Sequence, residues 1–286
     1  MMKQLTITLF LIFILPFSYL TDSHSVYSQK LTATSVMTLA SVGNNNNTGI
    51  NTHAIENKTV NYYGNTTGYL AYPSPNQNNQ EKKLPAVVMI HENKGLNDYI
   101  KDSANILAKS GYVVLAVDLF NGEISTDQDR SRELTSTIRE NPNIAIENMK
   151  SAVGYLGSLE NVNASRIASI GWCFGGGQSL QLALNSKDHP LSATIIYYGV
   201  PLTNDTKALS NIQWPVLGIF GDKDMAIPVD TVKQFQQALT QLGIQNEIYI
   251  YPGVGHAFAN PSNPNYASNE TADSWKKTLD FLNKYV

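Results

Sequence analysis

Short apolar runs that alternate with amphipathic segments constrain the fold of this 286-residue chain more than any other feature. Each run is rich in Val and Ile, and each is followed by a turn and then by apolar residues at helical spacing. The apolar runs are 86–91, 112–118, 167–172, 193–198, 215–220 and 247–251, and the helical segments are 98–110, 143–160, 176–185, 228–242 and 272–285. Runs this apolar indicate strands buried on both faces. The alternation therefore predicts an α/β fold, with a mostly parallel central sheet and helices on both faces.

The first sixty residues lack this alternation and differ in composition from the rest of the chain. Lys3 precedes an apolar stretch over residues 5–20, so residues 1–25 are predicted to be a signal peptide or an N-terminal anchor, and the protein is predicted to be exported to the cell envelope or beyond. Residues 26–59 are rich in Ser, Thr and Asn and are predicted to be a linker. One domain is expected over residues 60–286, beginning with an antiparallel pair of strands at 60–63 and 67–72.

Composition excludes several classes of function. The chain has 20 Lys and Arg against 23 Asp and Glu, a formal net charge of −3, which argues against a nucleic-acid-binding surface. Contact with a membrane is expected only through an uncleaved N-terminal segment. Cys173 is the single cysteine, so an intramolecular disulfide and a cysteine-rich metal site are both excluded.

The segment Gly171-Trp172-Cys173-Phe174-Gly175-Gly176 connects a predicted strand directly to a predicted helix. In a parallel sheet, functional groups gather at the carboxyl ends of the strands. Glycines on both sides of a nucleophile permit the strained turn that presents it at the N-terminus of the helix, where the helix dipole favours a thiolate. Cys173 is therefore a candidate nucleophile, and an inert buried cysteine is the alternative.

Two further candidates follow later strands. Asp224 comes after the run that ends at residue 220, and His256 comes after the run that ends near residue 251. The order nucleophile, acid, histidine is that of α/β-hydrolases, in which the acid orients the histidine and the histidine transfers the proton. Asp222 is a competing acid, and a helix cap is the alternative role for an aspartate at this place.

With these residues in hand, the chain from about residue 60 to residue 286 resembles dienelactone hydrolases, the carboxymethylenebutenolidase group of the α/β-hydrolase fold. The matching segments are PAVVMIHENKGLN, GYVVLAVDLF, GWCFGG, YYG, GDKDMAIP and YPGVGHAF. The resemblance implies a carboxylic ester hydrolase that cleaves a small ester or lactone through a thioacyl intermediate, without a cofactor or a metal. It implies Cys173 as the nucleophile, His256 as the general base and acid, and Asp224 as the carboxylate that orients His256.

The resemblance also implies roles for neighbouring residues. Glu92 matches a glutamate that lies near the resting thiol and takes part in its conversion to thiolate. The oxyanion hole is expected from the backbone N–H groups of Phe174 and Asn93. Aromatic residues near the strand ends are expected to line the substrate pocket, with packing as the alternative, and these are Trp172, Tyr198 and Phe258.

One residue departs from the family pattern. Members that cleave dienelactones have an arginine shortly after the catalytic histidine, whereas this chain has Asn260 there. A carboxylated lactone is therefore not the expected substrate, unless Arg130, Arg132 or Arg139 supplies the charge. The alternatives are an exported general carboxylesterase, a peptidase or acyltransferase on the same fold, and a non-catalytic hydrolase-like binding protein. The oligomeric state is left open.

Overall fold

The computed structural model describes residues 53–75 and 83–286, and within these ranges seven helices pack around one eight-stranded sheet. The strands are β1 (Ile55–Tyr63), β2 (Thr66–Pro73), β3 (Leu84–Ile90), β4 (Val113–Val117), β5 (Val162–Trp172), β6 (Ala193–Tyr197), β7 (Val216–Gly221) and β8 (Asn246–Tyr251). The helices are α1 (Asp98–Lys109), α2 (Gln128–Glu140), α3 (Pro142–Ser158), α4 (Phe174–Leu184), α5 (Thr206–Leu209), α6 (Val229–Gln241) and α7 (Ser268–Tyr285).

The predicted signal segment and most of the predicted linker lie outside the described residues. β1 begins at Ile55, before the boundary at residue 60 that the sequence predicts for the domain. Within 53–75 and 83–286, no helix combines the length and the hydropathy needed to cross a membrane.

The strand order in the sheet is β1-β2-β4-β3-β5-β6-β7-β8. β1 pairs with β2 and β2 with β4 in antiparallel fashion, and every later pairing is parallel. β3 lies between β4 and β5, so the loops after β3 and β5 are neighbours at the carboxyl edge of the sheet. A crevice at such an edge is where α/β sheets bind ligands.

Burial of the central strands confirms the predicted sheet. All five residues of β4 and the last five of β3 are buried, as expected for strands covered on both faces. Each buried Val, Leu or Ile side chain contributes roughly 1.5–3 kcal/mol relative to an exposed one. Burial of the apolar runs therefore stabilises the sheet that holds the loops at its carboxyl edge.

The helices also bury their apolar faces against the sheet, but two of them are absent from the sequence-based prediction. α1 begins after Asn97, whose side chain accepts a hydrogen bond from the N–H of Ile100, and it buries Ile100, Ala104 and Leu107 on one face. α2 and the short α5 were not predicted. α2 turns Ser131, Thr135 and Ile138 inward, so its buried face is mostly hydroxyl-bearing and carries little apolar periodicity.

A cavity of about 370 Å³ lies at the amino ends of β7 and β8 and is lined in part by Trp214, Leu242 and Ile244. Because these strands are parallel to β5, the cavity lies at the sheet edge opposite to Cys173.

Candidate active site

Cys173 occupies a strained turn between β5 and α4. Its φ of 54° and ψ of −118° are uncommon for a residue with a side chain. A Cβ on Gly171 would lie 2.1 Å from the carbonyl oxygen of Gly175, and a Cβ on Gly175 would lie 2.4 Å from the carbonyl oxygens of Ile90 and His91. Only glycine fits at either place. The turn is pinned further by the N–H of Cys173, which donates to the carbonyl of Tyr197 at 3.0 Å.

The structure brings Cys173, His256 and Asp224 together in one row. His256 Nε2 lies 3.0 Å from Cys173 Sγ, and His256 Nδ1 lies 2.7 Å from Asp224 Oδ2. The Asp224 side chain is fully buried, whereas that of His256 is 27% exposed. A histidine held in this way presents one ring nitrogen to the acid and the other to the sulfur, as a nucleophile–histidine–acid arrangement requires.

The two aspartates of the β7 turn have different partners. Asp224 Oδ1 accepts hydrogen bonds from the N–H groups of Ala226 and Ile227 at 2.8 and 3.2 Å, so this side chain is also a backbone cap. Asp222 Oδ1 accepts from the N–H of Gly253 at 2.7 Å and ties the β7 turn to the turn after β8. The carboxylate that faces His256 is therefore that of Asp224.

The charge on His256 is set by its two partners. Burial alone would lower the pKa of His256, but the hydrogen bonds to Asp224 and Cys173, together with their negative charges, raise this pKa to about 10. The imidazolium form is thus favoured well above neutral pH.

Glu92 follows β3 and is buried beside this row. Its Oε2 accepts a hydrogen bond from the side-chain amide of Asn260, and its Oε1 has no partner in the described part of the chain. Burial raises the pKa of Glu92 to about 7, against the opposing influence of Asn260, of the charge on His256 and of the charge on Lys94. The sequence marks Asn260 only as the residue in place of an arginine, and its contact with Glu92 was not predicted.

His91 joins the loop after β3 to the loop after β4. Its Nδ1 lies 2.6 Å from the carbonyl oxygen of Glu92, and its Nε2 accepts from the N–H of Leu119 at 3.1 Å. The ring is buried against Phe120 and Phe174, and burial lowers the pKa of His91. A neutral imidazole that donates from Nδ1 satisfies both contacts. This bridging role was not predicted from the sequence.

The two expected oxyanion donors lie on adjacent segments. Phe174 is the first residue of α4, so its N–H has no carbonyl of the helix to bond to. Asn93 follows Glu92 in the loop after β3, and this loop touches α4 where the carbonyl of His91 faces Gly175. Both N–H groups thus belong to the segments that meet beside Cys173.

The three aromatic residues predicted to line the pocket, with packing as the alternative, are buried beside other aromatic side chains. Trp172, Tyr198 and Phe258 are 1%, 0% and 0% exposed. The Tyr198 ring centroid lies 5.3 Å from that of His256 and 5.6 Å from that of Phe258, and Trp172 packs edge-on against Tyr99. These contacts fit the packing alternative, and a role in lining the substrate pocket stays a prediction.

No group of three or more His, Cys, Asp or Glu side chains converges in the described ranges as metal ligands do.

Comparison with known proteins places this geometry in a family. The model of the dienelactone hydrolase family matches residues 57–286. A protein of Methylorubrum extorquens provisionally assigned as a carboxymethylenebutenolidase is 27% identical over 214 residues, which cover 71% of this chain and 72% of that protein. A similarly assigned protein of Saccharolobus solfataricus is 29% identical over 237 residues, covering 70% of this chain and 89% of the relative.

A solved structure gives the same result. The crystal structure of a protein of Klebsiella pneumoniae, provisionally assigned as a dienelactone hydrolase, has a TM-score of 0.70 and 25% sequence identity, and the match covers 82% of this chain and 100% of that one. The chain therefore belongs to the dienelactone hydrolase family, a family of carboxylic ester hydrolases with the α/β-hydrolase fold.

Proposed function

We propose that Cys173, His256 and Asp224 form a catalytic triad that hydrolyses a small ester or lactone through a thioacyl intermediate. The observation that carries the proposal is the row of contacts, 3.0 Å from Cys173 Sγ to His256 Nε2 and 2.7 Å from His256 Nδ1 to Asp224 Oδ2. Both distances are within reach for the transfer of a proton.

In the acylation step, the Cys173 sulfur attacks the carbonyl carbon of the substrate. The negative charge that develops on the carbonyl oxygen is met by the N–H groups of Phe174 and Asn93. Collapse of this intermediate breaks the bond to the alkoxy oxygen, and the proton on His256 Nε2 goes to that oxygen. In a lactone the leaving alcohol stays attached to the acyl chain.

In the deacylation step, water attacks the thioacyl carbon. His256 takes a proton from this water, the bond to sulfur breaks, and the carboxylic acid leaves. Asp224 holds the ring in the tautomer that both steps need and stabilises the charged imidazolium. No redox change and no external group is required.

The test compares p-nitrophenyl acetate and butyrate hydrolysis in the wild type, Cys173→Ala and His256→Gln. We expect both variants to lose at least about 1,000-fold in kcat/KM. His189→Gln is the matched control, because His189 is an exposed histidine away from the sulfur. Hydrolysis that persists in Cys173→Ala at the wild-type rate would overturn the proposal.

Trapping the intermediate gives an independent result. Acid quenching during turnover, followed by intact-mass measurement, should reveal one acyl group on the wild type and none on Cys173→Ala. Cys173 is the single cysteine, so iodoacetamide labelling reports on it alone. A thiol that reacts no faster than free cysteine, together with no ester turnover, would favour the hydrolase-like binding protein.

The same assays separate the related enzymes. A peptidase would cleave peptide p-nitroanilides faster than esters, and an acyltransferase would pass the acyl group to an added alcohol or amine in preference to water. The family match and the relative from Methylorubrum extorquens favour an ester hydrolase over a peptidase or an acyltransferase.

We also propose that the protein is exported, on the strength of the apolar stretch at residues 5–20 after Lys3. Expression of the full chain followed by cell fractionation and N-terminal mass analysis tests this. A mature protein that begins within about residues 20–30 supports a cleaved signal, an intact N-terminus in the membrane fraction supports an anchor, and an intact chain in the cytoplasmic fraction contradicts both.

A further inference from the structure

The carboxyl group of Glu92 has no cationic hydrogen-bond donor in the described part of the chain. Glu92 is 4% exposed, and its hydrogen-bond donor is the uncharged amide of Asn260. No lysine or arginine within residues 53–75 and 83–286 is buried. A buried carboxylate that is held by one neutral donor keeps most of its negative charge uncompensated when it ionises.

The amide of Asn260 is fixed in the orientation that makes it a donor to Glu92. Its Oδ1 accepts from the N–H of Ser262 at 2.9 Å, which leaves Nδ2 to face the carboxylate. The backbone of Asn260 is held as well, since its N–H donates to Ala257 and its carbonyl accepts from Asn263. The donor is thus part of a rigid turn after His256.

The other charged and titratable groups around Glu92 do not neutralise it. Tyr198 after β6 is buried and Tyr99 from α1 is partly buried, and desolvation raises the pKa of both phenols well above the usual value, so both stay neutral. The charge on His256 acts on Glu92 through space, but both ring nitrogens are hydrogen-bonded to Asp224 and Cys173 and neither to Glu92. Lys94, in the same loop as Glu92, is exposed, and water screens its charge.

Two of the three arginines that could have supplied a positive charge are held in ion pairs, and the third, Arg139, is exposed in the last turn of α2. Arg130 donates to Glu123 through Nε and Nη2, and its Nη1 lies 2.6 Å from Glu133. Arg132 pairs with Asp129 at 2.8 Å. These ion pairs lie on or next to α2, and none of them includes Glu92.

We propose that Asn260 is a specificity-determining positioning residue: by holding Glu92 with an uncharged donor, it makes this hydrolase select acyl groups that carry no negative charge. The inference depends on the proposed function, because it concerns the acyl group bound to Cys173. An acyl carbonyl that accepts from the N–H of Asn93 lies next to Glu92, the preceding residue. A carboxylate on that acyl group meets a second carboxylate in a buried site, and such repulsion discriminates strongly between substrates.

The experiment uses two esters with the same leaving group, p-nitrophenyl pentanoate and the mono-p-nitrophenyl ester of glutaric acid. Their acyl chains have equal length and differ in a terminal methyl or carboxylate. For the wild type at pH 8 we expect kcat/KM for the pentanoate to exceed that for the glutarate by about tenfold or more. The preference should shrink below pH 7, where Glu92 gains its proton.

Three variants assign the effect. Asn260→Arg should reduce or reverse the preference by bringing a cation to Glu92, whereas Asn260→Gln, which keeps an amide donor, should retain it. Glu92→Gln should remove the pH dependence of the ratio of kcat/KM values for the two esters. If Asn260 had a purely structural role, this pH dependence would not change in Glu92→Gln. Should Asn260→Arg fail to fold by thermal melting, the ratios for the wild type and Glu92→Gln still decide the matter.

Equal rates for the two esters in the wild type would overturn the inference while leaving the proposed hydrolase intact. A preference for the glutarate that Lys94→Met abolishes would also overturn it and would assign substrate charge recognition to Lys94. Absence of any Cys173-dependent turnover of the pentanoate would instead overturn the proposed function.

Discussion

The carboxylate of Asp224 holds His256 with one oxygen and the backbone of its own turn with the other. Oδ2 lies 2.7 Å from His256 Nδ1, and Oδ1 accepts from the N–H groups of Ala226 and Ile227. The backbone contacts of Oδ1 therefore fix the Asp224 side chain independently of His256, and Oδ2 is left to contact the histidine ring.

This division predicts the effect of Asp224→Asn. The new side chain keeps Oδ1 for the two backbone donors but places an NH₂ group opposite Nδ1, which favours the wrong tautomer of His256. We expect kcat to fall by about 10³–10⁴-fold with little change in thermal stability. The measurement is ester hydrolysis combined with thermal unfolding.

Asp222→Asn is the matched control for that substitution. Asp222 lies in the same turn and accepts from the N–H of Gly253, a contact that an asparagine oxygen can keep. Activity should stay within about twofold of the wild type. A larger loss of activity in Asp222→Asn than in Asp224→Asn would assign the acid to Asp222.

The pKa of His256 should depend on the sulfur beside it. The folded protein raises this pKa to about 10, partly through the contact with Cys173, so Cys173→Ala should lower it. Proton NMR titration of the His256 ring in both proteins measures the shift, and the ring should stay protonated through neutral pH in the wild type. The stability that this protonation contributes is fully present below the unfolded-state pKa of about 6.5 and is lost as the pH rises through about 10. An unchanged titration in Cys173→Ala would contradict the contact.

The turn at Cys173 predicts intolerance of a single methyl group. In Gly175→Ala the Cβ would lie 2.4 Å from the carbonyl oxygens of Ile90 and His91, so we expect a loss of about 3 kcal/mol or more, or failure to fold. Gly154→Ala on α3 is the control, because a Cβ there meets nothing within 4 Å, and it should stabilise by about 0.5–1 kcal/mol. Urea unfolding compares the two, and equal effects would contradict the close approach.

Glu92 should reduce stability at alkaline pH. Its pKa rises from 4.5 to about 7 on folding, so the folded state disfavours the ionised form. The resulting loss is absent below pH 4.5, grows between pH 4.5 and 7, and is complete above that range, on the order of 3 kcal/mol at about 1.4 kcal/mol per pKa unit.

Glu92→Gln removes this ionisation and keeps an oxygen for the amide of Asn260. The variant should therefore be more stable than the wild type at pH 8 and close to it at pH 4.5. Urea unfolding at the two pH values provides the measurement. A stability difference that does not change with pH would mean that Glu92 does not ionise in this range.

The strands could be predicted because each one is specified by a short apolar run that is visible in the sequence. A continuous Val- and Ile-rich run such as Val113–Val117 has few alternatives to a buried strand, and both its ends were placed within one residue. α2 was missed because Ser131 and Thr135 occupy its buried face. These side chains satisfy their hydroxyls within the helix and the adjacent turn, so their burial does not depend on hydrophobicity.

The candidate site likewise has features that the local sequence predicts and features that depend on tertiary packing. The glycines around Cys173 and the order of Asp224 and His256 mark a site whose geometry follows from the turn types at strand ends. The contact between Asn260 and Glu92 joins residues 168 positions apart, and no spacing rule foretells it. The sequence also could not decide between packing and pocket lining for Trp172, Tyr198 and Phe258, because burial depends on how neighbouring strands and loops pack.

His91 sets an acid limit for the protein. A neutral imidazole can accept from the N–H of Leu119 and also donate to the carbonyl of Glu92, but an imidazolium has no lone pair to accept with. The pKa of His91 is lowered by burial, so the stability that the neutral ring provides is present above about pH 6.5 and is lost as the environment becomes acidic. Protonation of Nε2 would break the hydrogen bond from the N–H of Leu119 and weaken the link between the loop that carries Glu92 and Asn93 and the loop after β4. The acid range in which this hydrolase stays folded is thus expected to depend on a histidine that takes no part in the proposed chemistry.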